Sequence, residues 1–591
     1  MKKVFFWLLL PAVLVAGCNK DEIIENGTAS NNGNSSIPAV TPEADTEDDI
    51  LDNTTFARTI TIVFSDEGGA TVTGDANGIV SVNGNKVTAD NRNFDENVRY
   101  ELSGSTTNGY FKTFTGNRSA WVLNGVSITN PDGAALNNQG EKRVFVVING
   151  SNSLSDGSSA AYTTDGDEDM KAVFFSEGQL VFSGEGSLTV TAGNAQGKSG
   201  ITSDDYVHVT ESPAIRVTAG ASAGHGLRGK DYVRISGGTV EIATKAAMKK
   251  GINSDGYVLI EGGATTVNVS GGTAYDNEDK EYTGSAGVKA DNYFGMTGGS
   301  LTVTNSGAGG KGIRAGSYEY YKEYGGLNDS YISGGTLQVS TTGRESNSVS
   351  AKAVKIGFKE GSGRSYIYGG NLLVSGGSTV VTCSGGEGLE AKGNLTVSGG
   401  ELYVTSSSDD AINCQGELKV TGGFVYGYSS GNDGIDSNGN MVLSGGFVFG
   451  VTTKGSPEVA LDANTEGGYR LYINSGATVV AYGGLESGFS ASQDVYSMSC
   501  TAGGWNALYN GSSFIAAFKA PSGISSVAVS APSLSQGYTG VSVGEGKCNG
   551  VWAVDGISGG SAVSLSAYTG GGGPGGGPGN PGNPGGPGGW H

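Results

Sequence analysis

Hydrophobic and polar residues repeat along this chain with a fixed period, most clearly between Glu387 and Gly450. Leu389, Ile412 and Ile435 follow one another at intervals of 23 residues, and a Gly-Gly pair recurs at one offset after each of them. After each pair, apolar residues alternate with other residues, which is the pattern of a strand with one buried face. A period of roughly 20–50 residues built from short strands and glycine turns predicts a β-solenoid, in which each coil buries its apolar face against its neighbours.

The repeat extends over much of the chain, and its hydrophobic anchors are expected to stack on one another. The ten anchors are Ile201, Leu227, Ile252, Val288, Ile313, Val354, Leu389, Ile412, Ile435 and Leu461. Most steps between anchors are 23–26 residues, and three steps are longer, at 36, 41 and 35 residues. The additional residues predict loops on one side of the solenoid, including 274–285 and 317–328, where solenoids often build binding surfaces.

The segments outside the regular repeat differ in composition, and these differences set the expected domain boundaries. A polar stretch without large apolar residues cannot bury enough surface to fold, terminal coils of a solenoid are atypical, and its open edge requires cover. We expect an order of lipoprotein signal peptide (1–17), disordered tether (18–57), N-terminal β region with early coils (58–180), regular parallel β-helix (181–485), C-terminal β cap (486–569) and flexible Gly/Pro-rich tail (570–591).

The N-terminus has the pattern of a bacterial lipoprotein signal. Lys2 and Lys3 precede an apolar run that ends in the tetrapeptide VAGC, so Cys18 is the expected lipidation site. The apolar run is shorter than the roughly 20 residues that a membrane-spanning helix needs. The NKDE tetrapeptide that follows Cys18 resembles the tag of surface-exposed lipoproteins of Bacteroidota. We therefore expect an outer-membrane protein, exposed at the cell surface, whose only membrane contact is the Cys18 lipid.

Composition and charge narrow the possible functions. Glycine supplies 105 of the 591 residues without a collagen period, which suits a turn-rich all-β protein. The net charge of −21 becomes −23 once the two signal-peptide lysines are removed, which argues against nucleic acid as a partner. The chain has three histidines and no Cys-x-x-Cys pair, which argues against zinc. Cys500 and Cys548 are candidates for a disulfide bond in an exported protein.

Charged residues flank the anchors in two columns whose sign reverses along the solenoid. The upstream coils are basic and end with Lys352 and Lys355. The downstream coils carry Glu387, Glu390, Asp409, Asp410, Asn413, Asp433 and Asp436. Coils stack about 4.8 Å apart, where two like charges repel by about 1 kcal/mol in water and by several times that amount at an effective dielectric constant of about 20. The stacked carboxylates therefore predict a bound cation, for which hard oxygen ligands favour Ca²⁺; a solvated acidic edge is the alternative.

Aromatic residues form two columns that are expected to point outward. The first column is Tyr206, Tyr232, Tyr257, Tyr293, Tyr331 and Tyr366. The second column lies near the acidic coils and consists of Tyr403, Tyr426 and Phe449, beside Phe424 and Phe447. Aligned rings offer flat apolar faces on which sugars stack, whereas mutual stacking or cover by a neighbouring segment is the alternative. The candidate carbohydrate-binding residues are Tyr403, Tyr426, Phe449, Lys352 and Lys355.

Several repeats resemble a known family. The runs EGLEAKGNLTVSGG, DDAINCQGELKVTGG and NDGIDSNGNMVLSGG are similar to the calcium-containing, β-helical carbohydrate-binding family, which is related in shape to pectate lyases. Residues 144–157 and 514–537 resemble its leading and closing segments, and the likeness covers roughly 58–569. The resemblance implies a right-handed, single-stranded parallel β-helix, calcium sites, and binding to plant cell-wall polysaccharides such as pectin, polygalacturonate or cellulose.

Together these features favour a monomeric surface lipoprotein that binds polysaccharide with calcium and has no catalytic residues. A calcium-dependent polysaccharide lyase is the first alternative, because Lys352, Lys355 and Lys392 lie near the acidic coils and a lyase needs a basic residue beside a metal-bound uronate. A glycoside hydrolase is disfavoured, because the strongest candidate for its catalytic carboxylate is Asp204. Asp204 recurs with Asp255 and Asp291 in one column, which makes it a residue of the repeat. A structural or adhesin stalk is the remaining alternative.

Overall fold

A computed structural model describes residues 47–570, except 158–160, 165, 167, 194, 278–279 and 363–364. The predicted signal peptide, Cys18, most of the predicted tether and nearly all of the predicted tail lie outside the described residues. The helices of the described part are one α-helix, Tyr318–Tyr324, and two 3-10 turns, Glu47–Asp49 and Leu51–Asn53. None of them is long and apolar enough to cross a membrane. The all-β prediction is confirmed for the described chain.

The predicted anchors lie in one sheet of 15 strands. The ten anchors form nine successive parallel pairs, from Ile201 with Leu227 to Ile435 with Leu461. All ten are buried, as the stacked-coil interpretation requires. The strands are Val80–Asn83, Asn85–Asp90, Gly109–Phe114, Leu136–Asn138, Ala172–Ser176, Ser199–Ser203, Leu227–Gly229, Lys250–Ser254, Ala286–Ala290, Lys311–Ala315, Lys352–Ile356, Leu389–Ala391, Ile412–Cys414, Ile435–Ser437 and Leu461–Ala463.

A second sheet of 30 strands completes the coils, because most regular coils add two consecutive strands to it after each anchor strand. Most of its strands pair in parallel with the coils before and after. The strands are Arg58–Ser65, Thr71–Thr73, Val98–Thr106, Ser119–Thr129, Val144–Asn149, Ser151–Ser155, Leu180–Gly184, Ser187–Ala192, Val207–Val209, Ala214–Ala219, Tyr232–Ile235, Thr239–Thr244, Tyr257–Ile260, Ala264–Val269, Phe294–Met296, Ser300–Asn305, Ser330–Ile332, Thr336–Thr341, Leu372–Val374, Ser378–Cys383, Leu395–Val397, Glu401–Ser406, Leu418–Ser429, Met441–Thr452, Leu471–Ile473, Thr478–Tyr482, Ser490–Ala491, Tyr496–Ser499, Ser526–Ser530 and Leu565–Ala567.

The Gly-Gly pairs form the corner between these two strands of a coil, and in the two coils after Ile412 and Ile435 one long strand, Leu418–Ser429 or Met441–Thr452, continues through the pair. Gly400 has a φ of +73°, a conformation that favours glycine. A Cβ atom at Gly400 would lie 2.5 Å from the carbonyl oxygen of Gly376, which occupies the equivalent turn of the preceding coil. The coils can therefore stack closely at this corner only because both turns lack side chains.

The three long steps of the repeat form structured insertions. The first is a hairpin of Ala274–Asp276 and Glu281–Thr283, and the second contains the helix Tyr318–Tyr324. The third is a hairpin of Phe358–Ser362 and Ser365–Gly369. The first two coincide with the loops predicted at 274–285 and 317–328.

The C-terminal region covers the last coil and also the side of earlier coils. Its strand Ser526–Ser530 pairs antiparallel with Thr478–Tyr482 of the final coil. A separate five-stranded antiparallel sheet packs its buried residues on the outward rings of preceding coils. This five-stranded sheet, which we call the C-terminal sheet, consists of Trp505–Asn510, Ser513–Lys519, Gln536–Val543, Trp552–Ala553 and Ile557–Val563.

The suggested disulfide bond between Cys500 and Cys548 is not formed, since both thiols are free and buried. The Cys548 thiol donates to the carbonyl oxygen of Leu402 at 3.4 Å, within the solenoid contact. The Cys500 thiol donates to the carbonyl oxygen of Ile524 at 3.4 Å, within the cap. Each cysteine therefore packs as a small apolar residue in its own place.

The first described residues differ from the predicted tether, which extended to residue 57. The Asp49 carboxylate is buried, lies 2.8 Å from the Arg143 guanidinium and accepts a hydrogen bond from the Tyr206 hydroxyl. Leu51 and Phe56 pack against the same cluster. These few apolar and charged residues attach residues 47–57 to the solenoid although the segment is polar overall.

Candidate functional site

The sign reversal predicted from the charge columns is present in the register of the anchor sheet. Lys355 pairs with Glu390, which is followed on successive coils by Asn413, Asp436 and Asp462. The side chains of these residues occupy one outward column, so the boundary between basic and acidic coils falls between Lys355 and Glu390. We call the coils from Glu387 to Asp462 the acidic coils.

At this boundary, lysines already neutralise two of the predicted metal ligands. The Lys352 ammonium lies 2.6 Å from Glu387 Oε1 and 2.7 Å from Glu390 Oε1, and Lys392 also pairs with Glu390. Burial opposes ionisation of Glu390, but the charges of Lys352 and Lys392 outweigh it and lower the pKa of Glu390. Lys352 is itself only 8% exposed. The predicted roles of Glu387 and Glu390 as metal ligands, and of Lys352 as a carbohydrate ligand, therefore do not fit this geometry.

The aspartates farther along the acidic coils have no such counterions. Asp410 and Asp433 are buried, Asp436 is half-buried, and none of the three forms an ion pair with any described residue. Burial, followed by the charges of neighbouring aspartates, raises the pKa of Asp410 to about 8 and that of Asp436 to about 7. Burial likewise raises the pKa of Asp433 to about 6. Ionised, these carboxylates are stabilised only by hydrogen bonds, and a bound cation would lower their electrostatic cost.

Hydrogen bonds hold the buried aspartates in place. Asp410 accepts from the Asn413 side-chain amide at 2.9 Å and from the Asp433 backbone amide at 2.9 Å. Asp433 accepts from the Val459 backbone amide at 2.5 Å. Burial, followed by the hydrogen bond that the protonated Asp462 carboxyl donates to the Glu486 carboxylate, raises the pKa of Asp462 at the end of the row. The carboxylates are thus oriented by their own coil and by the coil that follows.

The closest set of carboxylates lies elsewhere in the described part of the chain. Asp169, Glu177 and Asp204 bring ligand oxygens within 4.8 Å of one another, which no three carboxylates of the acidic coils do. Lys171 pairs with Asp169 at 2.8 Å and also with Asp204, so this set has its own counterion. A cation in the acidic coils would need side-chain rotation or ligands such as the Asn413 carbonyl oxygen and backbone oxygens, which Ca²⁺ accepts.

The first aromatic column stacks on itself. The rings of Tyr206 and Tyr232 lie 4.3 Å apart and nearly parallel, and the stacking continues along the column to Tyr331. The Tyr331 ring covers Gly295, where a Cβ atom would come within 2.7 Å of it. Tyr366 does not belong to the column, because it lies in the third insertion and is exposed. The rings of this column therefore stack on one another, which is the alternative to sugar binding. At one end of the column, the Tyr206 hydroxyl donates a hydrogen bond to Asp49.

The second aromatic column is largely buried beneath the C-terminal sheet. Tyr403 and Tyr426 stack at 4.8 Å, but Tyr426 is 4% exposed and Phe449 is completely buried against Trp552. Phe449 therefore has no surface for a ligand, and the prediction that it binds carbohydrate is wrong. Tyr403 is half-buried and lines a cavity of about 500 Å³ together with Tyr426, Tyr428 and serine and threonine side chains, so carbohydrate binding by Tyr403 and Tyr426 stays a prediction.

The remaining predicted carbohydrate ligand, Lys355, lies in a different cavity. It lines a cleft of about 560 Å³ together with Lys250, Lys289 and Arg314. The three insertions form the walls of this cleft. The sequence predicted the basic columns and the loops. It did not predict that the loops enclose the basic residues in one cleft, because the insertions do not follow the period of the coils.

One comparison, with protein-family models, agrees with the carbohydrate-binding part of the resemblance. The family model of carbohydrate-binding domain-containing proteins matches residues 83–280 and 246–434, a range that includes the basic cleft, Asp410 and Asp433. No curated protein matches the chain. Among solved structures, the polysaccharide lyase-like protein from C. thermocellum, determined as a gadolinium derivative, is 24% identical with a TM-score of 0.34. That match covers 44% of this chain and 95% of the other chain.

Proposed function

The chain belongs to the family of carbohydrate-binding domain-containing proteins, and we propose that it is a cell-surface lipoprotein that binds acidic plant cell-wall polysaccharide. The observation that carries this proposal is the family match across the coils that hold both the basic cleft and the buried aspartates. Pectin and polygalacturonate suit these coils better than cellulose. Most of the flat aromatic surface that a neutral glycan would use is covered, whereas the basic cleft can attract a uronate.

We further propose that the acidic coils bind Ca²⁺. Asp410, Asp433, Asp436 and Asn413 would hold it, with Asp462 next in the row. The fit rests on hard oxygen ligands and on carboxylates that are partly or fully buried without a counterion among the described residues. When bound, the ion would supply positive charge that offsets the repulsion between stacked carboxylates. The coils themselves orient the oxygens through the hydrogen bonds to Asp410 and Asp433.

One observation favours polysaccharide lyase as a second function. Burial, followed by the positive charges of Lys289 and Arg314, lowers the pKa of Lys250 to about 7, so part of this amine is neutral near pH 7. A neutral amine in a basic cleft could remove the proton next to a uronate carboxylate. Lys352 and Lys392 are unsuited to that role, because both are held in ion pairs with Glu390.

The proposed function predicts selective retention on acidic polysaccharide. The purified protein should bind polygalacturonate and pectin more tightly than cellulose, and a chelator should weaken this binding wherever Ca²⁺ contributes. Affinity electrophoresis with each polysaccharide measures the retention, while ultraviolet absorbance of the same mixtures detects the unsaturated products of a lyase. Absence of binding to every polysaccharide would show that the proposed function is wrong, and accumulation of unsaturated products would establish the second one.

The proposed location predicts that Cys18→Ala releases the protein from membranes. The lipid is attached through the sulfur atom of this cysteine. A variant without the cysteine would therefore lack its acyl anchor. Fractionation and labelling with a fatty-acid analogue measure the effect. Cys500→Ala is the matched control, because this buried thiol lies in the C-terminal cap and should leave labelling unchanged. A Cys18→Ala protein that remains in the membrane fraction would contradict the lipoprotein assignment.

A further inference from the structure

The cleft beside Lys355 is built by parts of the chain that are distant in sequence. One wall comes from the hairpin of Ala274–Asp276 and Glu281–Thr283, and a second from the start of the helix Tyr318–Tyr324. The third comes from the strand Phe358–Ser362. All three insertions of the repeat thus converge on one cavity, which the regular coils alone would not form.

The floor of the cleft is basic. Lys289, Arg314 and Lys355 are consecutive partners in the register of the anchor sheet, and Lys250 also lines the cavity. The Lys289 ammonium is neutralised by Asp291 at 2.5 Å. Arg314 and Lys355 are half-buried, and neither forms an ion pair with any described residue. Burial, followed by the charge of Arg314, lowers the pKa of Lys355 to about 8. Two neighbouring cations without counterions form a place where an anion would be stabilised.

The walls of the cleft are mostly acidic. They carry the carboxylates of Asp276, Glu281, Glu319 and Glu360, with the ammonium of Lys359 among them. Tyr318 and Phe358 add an apolar surface, with ring centroids 5.3 Å apart. Carboxylates accept hydrogen bonds from hydroxyl groups, and aromatic side chains pack on the C–H faces of sugars.

This combination matches the chemistry of an acidic sugar. Such a residue has one anionic group, which the floor would bind, and several hydroxyl groups, which could donate to the wall carboxylates. A densely charged polyanion without hydroxyl groups would instead be repelled by the walls. The charge pattern therefore distinguishes an acidic sugar from a simple polyanion.

We propose that this cleft binds an acidic sugar residue of the polysaccharide directly, with the anionic group on Arg314 and Lys355 and without a bridging metal ion. The inference rests on the proposed function, which supplies the polysaccharide, and it assigns the site within the chain. A uronate carboxylate and a sulfate ester share the required chemistry. The site is separate from the aspartates proposed to bind Ca²⁺, so its contribution should persist in a chelator.

The test compares the full chain with the double variant Arg314→Gln, Lys355→Gln in the presence of a chelator. The wild-type protein should bind polygalacturonate, and the variant should bind it about tenfold or more weakly, because both cations that would hold the anionic group are removed. The control is Lys419→Gln, Lys519→Gln, which removes the same charge from exposed positions and should change the affinity less than about twofold. Thermal unfolding verifies that both variants fold.

Two further ligands identify the group that binds. Fully methyl-esterified polygalacturonate has the same backbone without the negative charges and should bind about tenfold or more weakly than polygalacturonate. Dextran sulfate compared with dextran tests a sulfate ester in the same way.

The possible outcomes separate this inference from the proposed function. If the double variant binds polygalacturonate as tightly as its control, the cleft is not the site although the protein still binds polysaccharide. If wild-type binding disappears completely in the chelator, the metal-independent site is excluded. If the wild-type protein binds no polysaccharide with or without Ca²⁺, the proposed function itself is wrong.

Discussion

Calcium should raise the unfolding temperature of this protein, and Asp410→Asn with Asp433→Asn should remove most of that gain. A ligand that binds only the native state stabilises it by mass action, by about 2.7 kcal/mol at a free concentration of 100 times its Kd. The two aspartates lie on successive coils and have no counterion among the described residues. Thermal unfolding followed by circular dichroism, with Ca²⁺ or with a chelator, measures the difference.

Without calcium, the same double variant should be more stable than the wild-type protein near neutral pH. The folded-state pKa values of Asp410 and Asp433 are raised to about 8 and about 6. Their contribution to stability is therefore present at acidic pH and is lost as the pH rises through these values. The calcium-free wild-type protein should accordingly lose stability between about pH 4, the ordinary pKa of an aspartate, and about pH 8, and the variant should lose less of it.

The control for this prediction is Asp169→Asn with Asp204→Asn. These carboxylates already have Lys171 as a counterion, so the variant should keep the stabilisation by calcium that the acidic coils provide. If Asp410→Asn with Asp433→Asn instead destabilises the calcium-free protein, the hydrogen bonds that these carboxylates accept outweigh their repulsion. The cation site would then lie elsewhere.

Lys352→Met should destabilise the protein by about 3–5 kcal/mol, because it leaves two buried carboxylates without their shared cation. Lys352 lies within 2.7 Å of both Glu387 and Glu390. Combining it with Glu387→Gln should recover much of the loss, since Glu390 keeps Lys392 as its counterion. Denaturant unfolding measures each difference.

Lys355→Met is the matched control for this substitution. Lys355 lies three residues away on the same strand but forms no ion pair with any described residue, and its pKa is lowered. Its removal should leave stability nearly unchanged or increase it, because repulsion with Arg314 is relieved. Equal destabilisation by the two methionine substitutions would show that packing, and not charge, determines both effects.

Much of the solenoid could be predicted from the sequence, because residues that touch in it are one period apart. Leu389, Ile412 and Ile435 were recognised by their spacing, and the structure pairs them directly. The same register places Glu390 beside Asn413 and then beside Asp436. A local pattern is sufficient here, because each coil repeats the turns and strand lengths of the coil before it.

Contacts that share no period could not be obtained in this way. Trp552 covers Phe449 from the C-terminal sheet, and Asp49 binds Tyr206 across 157 residues. Outward aromatic rings look the same in sequence whether a sugar or a protein segment covers them. Burial of their apolar area by the chain itself decided between these alternatives.

The sequence by itself thus determined the stacked coils, their anchors and the order of the charges, since these depend on neighbouring repeats. Only the tertiary structure decided which charges are available. Lys352 reaches the glutamates of the next coil and is neutralised, whereas Lys355 faces a cleft that three insertions enclose. Side-chain direction and insertion packing, rather than spacing, control the distance between opposite charges, and that distance controls whether a charged group can bind a ligand.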